Sequence, residues 1–295
     1  MATRGALIDR DFLEKLERLA IRWQKSLPGL VGGNFPSRQA GPGQEFLDHR
    51  QFHHGDDLRA VNWRAYLRFE KLFLKMFHIE PRVPVRLLLD VSLSMATGGG
   101  AKFDYARRLA AALSYIGLVR HDTIAIVPFS DGLGDAFLCS GGRHRFGPTA
   151  EYLEALRPEG RTRFAEVARQ FTARYAQRGL LILVSDFFED GGFERSLELL
   201  GGFGHELMLI QLWDPEDREP PWDGRLALED AETGAVVELD VDGEARRAYT
   251  AAFDRYARSL ERAALSTGGR YLGVPTSQPL EGAIFAGLTG VGGLA

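Results

Sequence analysis

Apolar positions change their spacing repeatedly along this 295-residue chain, and each change marks an element. Over residues 9–25, Phe12, Leu13, Leu16, Leu19, Ala20 and Trp23 recur at three- and four-residue steps. That spacing predicts an amphipathic helix with Asp9 near its start. Residues 28–43 are rich in Gly, Pro, Ser and Asn and predict a loop. Beyond residue 83, short continuous apolar runs alternate with helical spacing. Strands are expected at 85–90, 123–129, 180–185, 206–212 and 270–274, and helices at 103–119, 148–156, 164–175, 193–200 and 244–265. Continuous runs suit strands buried on both faces, so the fold class is α/β, a mostly parallel sheet flanked by helices. Two strand-like runs at 226–239 surround Glu232-Thr233-Gly234 and predict a small hairpin. Residues 282–295 are glycine-rich and apolar and are expected to form a tail; their glycines resemble a dinucleotide loop only superficially, because no strand–helix unit follows.

This patterning divides the chain into residues 1–82, a helix plus an aromatic and basic extension, and residues 83–295, the sheet domain with a C-terminal covering helix and tail. Hydrophobic residues at 45% and charged residues at 26% place it among soluble globular proteins. A net charge of −4 gives no overall attraction to nucleic acid or anionic lipid. The single cysteine, Cys139, excludes an internal disulfide and a multi-cysteine zinc site, and is expected as an inert residue in a turn. Residues 1–25 have no apolar core of signal-peptide length, and nowhere do about eighteen apolar residues run together. The expected location is the cytoplasm, with no membrane span.

Candidate chemistry gathers where strands end. The run Val85-Arg86-Leu87-Leu88-Leu89 stops at Asp90, and Ser92 and Ser94 follow at alternate positions. The run 180–185 stops in the same way at Asp186. Parallel strands end on one edge of a sheet, where open α/β folds place their ligand crevices, so Asp90 and Asp186 can converge. Between them Glu159-Gly160-Arg161-Thr162 sets a hydroxyl just before a predicted helix. Each residue has an ordinary alternative: Asp90 and Asp186 as capping or turn acids, Thr162 as an N-cap. Carboxylate and hydroxyl oxygens are hard donors that suit Mg²⁺ or Mn²⁺ better than zinc.

Residues 44–82 interleave arginines with Phe46, Phe52, Trp63, Tyr66, Phe69, Phe73 and Phe77. His49, His53 and His54 lack the companion cysteines or HExxH spacing of a zinc site. Single-stranded nucleic acid is a second reading of rings among arginines, but the net charge opposes it. The favoured role is internal. Gly55-Asp56-Asp57 forms a sharp turn, its acids pair with Arg50, Arg59 or Arg64, and Trp63 and Phe52 pack inward. So many rings are expected to pack on the sheet domain rather than remain in water.

Asp90-Val91-Ser92-Leu93-Ser94, Thr162 and Asp186 together resemble the metal-ion-dependent adhesion site of von Willebrand factor A domains. The resemblance implies a von Willebrand A-like, Rossmann-like sheet in which Asp90, Ser92, Ser94, Thr162 and Asp186 hold Mg²⁺ or Mn²⁺ directly or through water. One departure is Phe187-Phe188, where that family usually has a glycine. Upstream, a glycine-rich loop, Phe46, Arg50, Gly55-Asp56-Asp57, Arg59, Asn62-Trp63 and Arg68 resemble the domain of unknown function 58 family, over roughly residues 32–274. An acid commonly stands there in place of Asn62, and many members are longer, with N-terminal membrane helices. This second resemblance implies an adaptor or co-chaperone whose partner is a MoxR-type AAA+ ATPase. Neutral hydroxyl ligands leave an ion electron-poor and receptive to a partner's carboxylate, which favours a protein-interaction module. Two other readings stand beside it: a metal-dependent hydrolase or phosphatase using the same acids, with His121 and His144 able to approach, and a scaffold whose site has lost its metal.

Overall fold

The computed structural model describes residues 7–9, 11–18, 40–41, 45–53, 61–78, 84–189 and 193–289. The chain divides into two compact units: residues 27–82, and residues 1–26 together with 83–295. The expected 1–82 block is therefore split, and the cause is hydrophobic. Helix α1, described over residues 11–18, starts with the Phe12 amide donating to Asp9 Oδ1 at 2.7 Å. Ile8, Phe12 and Leu16 are buried in the core of the sheet domain. Glu17 accepts from the Tyr115 hydroxyl at 2.6 Å and from Arg143 at 2.8 Å.

In the 27–82 unit, β1 (Ala40–Gly41), β2 (Glu45–Gln51) and β3 (Phe73–His78) form an antiparallel sheet in the order β1-β3-β2. Helix α2 (Trp63–Phe69) lies between β2 and β3 in sequence, and Asn62 Oδ1 caps it by accepting from the Ala65 amide at 3.3 Å. Capping makes Trp63 the first helical residue, and α2 buries none of its side chains. Trp63 is 56% exposed, edge-on to Tyr66, so the expectation that it packs inward is overturned. Among the described residues of this unit, Val61 and Leu74 are the buried apolar ones. Arg50 falls in β2; Gly55, Asp56, Asp57 and Arg59 lie outside the described residues, as do 19–25 and most of the predicted 28–43 loop.

The larger unit continues with β4 (Val85–Asp90), α3 (Ala101–Val119), β5 (Ile124–Phe129), β6 (Phe137–Cys139), α4 (Phe146–Ala155), α5 (Phe164–Arg174) and β7 (Leu180–Ser185). It closes with α6 (Phe193–Gly202), β8 (Glu206–Trp213), α7 (Pro215–Arg218), β9 (Gly224–Glu229), β10 (Val236–Val241), α8 (Gly243–Ser266), β11 (Arg270–Pro275) and α9 (Leu280–Thr289). Six strands form one sheet in the order β11-β8-β7-β4-β5-β6, parallel throughout except for β6.

Successive residues of each strand feed opposite faces. Leu87 and Leu89 join α1, α3 and α9 in one core, while Leu88 joins α5, α6 and α8 in the other. Each side chain of this size removed from water contributes about 1.5–3 kcal/mol, which is why these strands read as unbroken apolar runs. From β4 the chain passes through α3 to β5, whereas from β7 it passes through α6 to β8 on the other side. The order reverses between β4 and β7, and such a reversal opens a crevice at the strands' carboxyl ends.

Two elements differ from expectation. Cys139 lies not in a turn but in the short antiparallel strand β6, buried, its thiol pushed up by that burial. The expected tail begins instead as α9, in which Leu280, Ala283 and Ile284 are buried; packing overrides the poor helix propensity of its glycines.

Candidate metal centre

The carboxyl edge of the sheet at the reversal point brings together all five oxygen-bearing side chains singled out in the sequence. Strand β4 ends on Asp90, which is fully buried, and its Oδ1 accepts from the Ser92 amide at 2.8 Å. This turns the chain so that Ser92 Oγ lies 3.0 Å from Ser94 Oγ. Ser94 Oγ in turn donates to Asp186 Oδ1 at 3.4 Å. The loop bearing Thr162 is stitched to the first by two backbone bonds, Glu159 amide to Val91 carbonyl at 2.6 Å and Leu93 amide to Gly160 carbonyl at 3.1 Å. Gly160 has φ +75°, a left-handed conformation that favours glycine at this turn. Thr162 Oγ1 thereby sits 3.5 Å from Asp90 Oδ2.

These separations bear on the implied cation. Oxygens at adjacent corners of an octahedron around Mg²⁺ lie about 2.9 Å apart, from metal–oxygen distances of about 2.0–2.1 Å. The 3.0 to 3.5 Å spacings of Ser92, Ser94, Asp186, Thr162 and Asp90 are close to that edge. Among the described residues no three His, Cys, Asp or Glu side chains form a metal-binding group. The donor set is two carboxylates and three hydroxyls, and it fits a small hard cation that keeps some of its water.

Four further residues complete the site. Ser185 Oγ donates to Asp90 Oδ2 and accepts from the Phe187 amide at 2.9 Å. Lys102, at the start of α3 and almost wholly buried, places Nζ 2.8 Å from Asp186 Oδ2 and 3.1 Å from Asp217 Oδ2. Glu232, from the β9–β10 connection, accepts from the Thr162 amide at 3.1 Å and from Thr162 Oγ1 at 3.2 Å. Ser185 was legible as the neighbour of Asp186. Lys102, Asp217 and Glu232 carried no signal, because nothing in their local sequence points at a crevice.

The acids have different electrostatic surroundings. Burial lowers the proton affinity of Lys102, but Asp186 and Asp217 more than offset it, so its pKa lies above that of an ordinary lysine and the ammonium stays charged. Asp186 is thus ion-paired. Asp90 pairs with no Lys, Arg or His among the described residues, and burial first, then the charge of Asp186, pushes its pKa up to about 7 against the hydrogen bonds from Ser185 and Ser92. Asp90 is the carboxylate that lacks a cation.

Phe187, where a glycine was expected from the resemblance, has φ +59°. The left-handed conformation costs a side-chain-bearing residue about 1–2 kcal/mol. Its ring offsets this by packing edge-on against Phe164 and Phe193, and the Tyr256 hydroxyl of α8 holds its carbonyl. The loop keeps the glycine-like shape without the glycine. His121 follows α3, whose 19 residues span about 28 Å, so it stands at the opposite end from Lys102. His144 flanks Gly142 together with His121 and is equally remote.

The family described as Protein of unknown function DUF58 matches residues 48–259, most of the chain and all five site positions. The chain belongs to the DUF58 family. Its relatives include uncharacterized protein Mb1516 of Mycobacterium bovis, 24% identical over 282 residues that cover 93% of this chain and 88% of that one. Uncharacterized protein MAV169 of Mycobacterium avium is 30% identical over 102 residues, which cover 35% of this chain and 60% of that protein. Among solved structures, BatB from Bacteroides thetaiotaomicron matches 70% of this DUF58 chain and 98% of its own, at 17% identity and a TM-score of 0.40. The SpRpn10 VWA domain matches 72% and 99%, at 14% identity and a TM-score of 0.39. The α/β fold, a mostly parallel central sheet flanked by helices, is carried by the strand order and parallel pairing themselves. Among the described residues, no helix of this DUF58 protein is long and apolar enough to cross a membrane.

Proposed function

We propose that this protein is a metal-dependent protein-interaction module that grips an acidic side chain of its partner through a bound Mg²⁺ or Mn²⁺. The observation that carries the reading is the meeting of Asp90, Ser92, Ser94, Thr162 and Asp186 from three loops, around a carboxylate with no cation of its own. In this reading Asp90, Ser92 and Ser94 hold the ion, with Thr162 and Asp186 engaging it directly or through water. The ion would supply an electron-poor centre, since three of the five donors are neutral. Lys102 keeps Asp186 oriented and offsets part of the negative charge presented to the cation. By family resemblance the module works in the cytoplasm as an adaptor or co-chaperone for a MoxR-type AAA+ ATPase. The hydrolase or phosphatase reading is weaker: His121 and His144, the two histidines that could have approached from the sheet unit, stand at the far end of α3, away from the acids.

Millimolar Mg²⁺ or Mn²⁺ is expected to raise the melting temperature, because an ion that binds only the native state stabilises it by mass action. Asp90→Ala is expected to abolish that rise, and with it any metal-dependent capture of the ATPase. A wild-type melting curve unmoved by either ion would overturn the reading.

A further inference from the structure

Glu232 is not among the five proposed ligands, yet both of its carboxylate oxygens are engaged at the cluster, by the Thr162 amide at 3.1 Å and Thr162 Oγ1 at 3.2 Å. It reaches a residue 70 positions away in sequence from a hairpin outside the main sheet. Its approach is pre-set. Asp230 Oδ1 accepts from the Glu232 amide at 2.9 Å and the Thr233 amide at 2.6 Å, fixing the turn that presents the side chain. The hairpin itself is two-stranded, β9 against β10, and Val236, Val237 and Leu239 on β10 are exposed. A two-stranded ribbon is marginal in water on its own, so the pairing of β9 with β10 by itself adds little to hold Glu232 in place.

We infer that the Thr162 amide and hydroxyl are the seat for a partner's carboxylate, and that Glu232 occupies this seat as a tethered internal substitute. A carboxylate is what two convergent donors beside a cation-binding cluster select, and the chain's own acid shows the pose. A partner's Asp or Glu must displace Glu232 to reach this seat. The tether sets the threshold. A group held at an effective concentration of millimolar order weakens a free carboxylate of similar intrinsic affinity several-fold. The inference rests on the proposed metal-dependent grip for the ion, but the seat itself is separately observable.

The test uses the full chain, isotope-labelled, with Mg²⁺ and with N-acetyl-aspartyl amide as the carboxylate probe, followed by amide NMR. Glu232→Ala is expected to shift the Thr162 amide and to tighten the probe several-fold, with bound probe returning that amide toward its wild-type position. Glu232→Gln, which keeps an acceptor but no charge, is expected to fall between. Equal probe affinity in wild type and both variants would overturn the inference, as would a Thr162 amide indifferent to the probe in Glu232→Ala. The Ser92 and Ser94 amides report the ion independently. If Mg²⁺ leaves them still while the probe moves Thr162, the metal reading falls and the seat stands. If Mg²⁺ moves them and the probe does not move Thr162, the seat falls and the metal reading stands.

Discussion

Lys102 is the residue on which the charge balance of the crevice turns. Its ammonium is enclosed by Asp186 and Asp217 and lies 5.4 Å from the centre of the Phe188 ring. Removing one member of a buried ion pair leaves the other charged and desolvated, which costs about 3–5 kcal/mol. Lys102→Met is therefore expected to lower stability by about 3 kcal/mol in metal-free buffer, read from urea unfolding. An added cation supplies part of the missing charge. Mg²⁺ is accordingly expected to stabilise Lys102→Met by more than it stabilises the wild type; an equal gain in both would mean that Lys102 and the ion do not share Asp186.

At the scale of elements, the loop after β7 shows how packing replaces a conformational preference. Phe187 is only 2% exposed, so truncating its ring is expected to cost about 3 kcal/mol or more. The order of two variants tests the backbone. Ala ordinarily exceeds Gly in stability by about 0.5–1 kcal/mol, but at φ +59° glycine is the unstrained residue. Phe187→Gly is expected to be about 1 kcal/mol more stable than Phe187→Ala in thermal or urea unfolding. The usual order would show that this residue is not left-handed in solution. The same logic explains α9, where Leu280, Ala283 and Ile284 gain burial that a propensity argument over a glycine-rich stretch does not see.

For the molecule as a whole, the raised pKa of Asp90 ties stability to pH. In the unfolded chain an aspartate titrates near about 3.9, whereas native Asp90 titrates at about 7. Between those values the native state binds more protons than the unfolded state, so stability is fully present below about pH 4 and declines as pH rises to about 7. Without divalent metal, wild type is expected to lose about 1 kcal/mol per pH unit relative to Asp90→Asn between pH 5 and 7. Groups common to both proteins cancel in that comparison of urea midpoints. Saturating Mg²⁺ is expected to flatten the difference, because the ion selects the deprotonated carboxylate; parallel midpoints across this range would show that Asp90 does not titrate there.

The main sheet was legible because its strands are buried on both faces, and continuous apolar runs ending in Asp90 and Asp186 carry that information locally. The five proposed ligands were legible for the same reason: each stands at a strand end or a glycine turn, and parallel strands must finish on one edge. The aromatic turn at 44–82 was not read as well. Trp63 is exposed because Asn62 caps α2 there, and ring content alone does not say which face a short helix buries. The chain by itself determined the alternation of strands and helices, the edge on which the acids stand and the oxygen character of the donors, because these follow from hydrophobic spacing and residue chemistry within short stretches. Only the tertiary structure decided that Lys102 neutralises Asp186, that Ser185 rather than a cationic side chain among the described residues meets Asp90, and that Glu232 sits on Thr162. Those relations join residues 70 to 95 positions apart, and no local pattern records which distant charge the folded chain brings into a crevice.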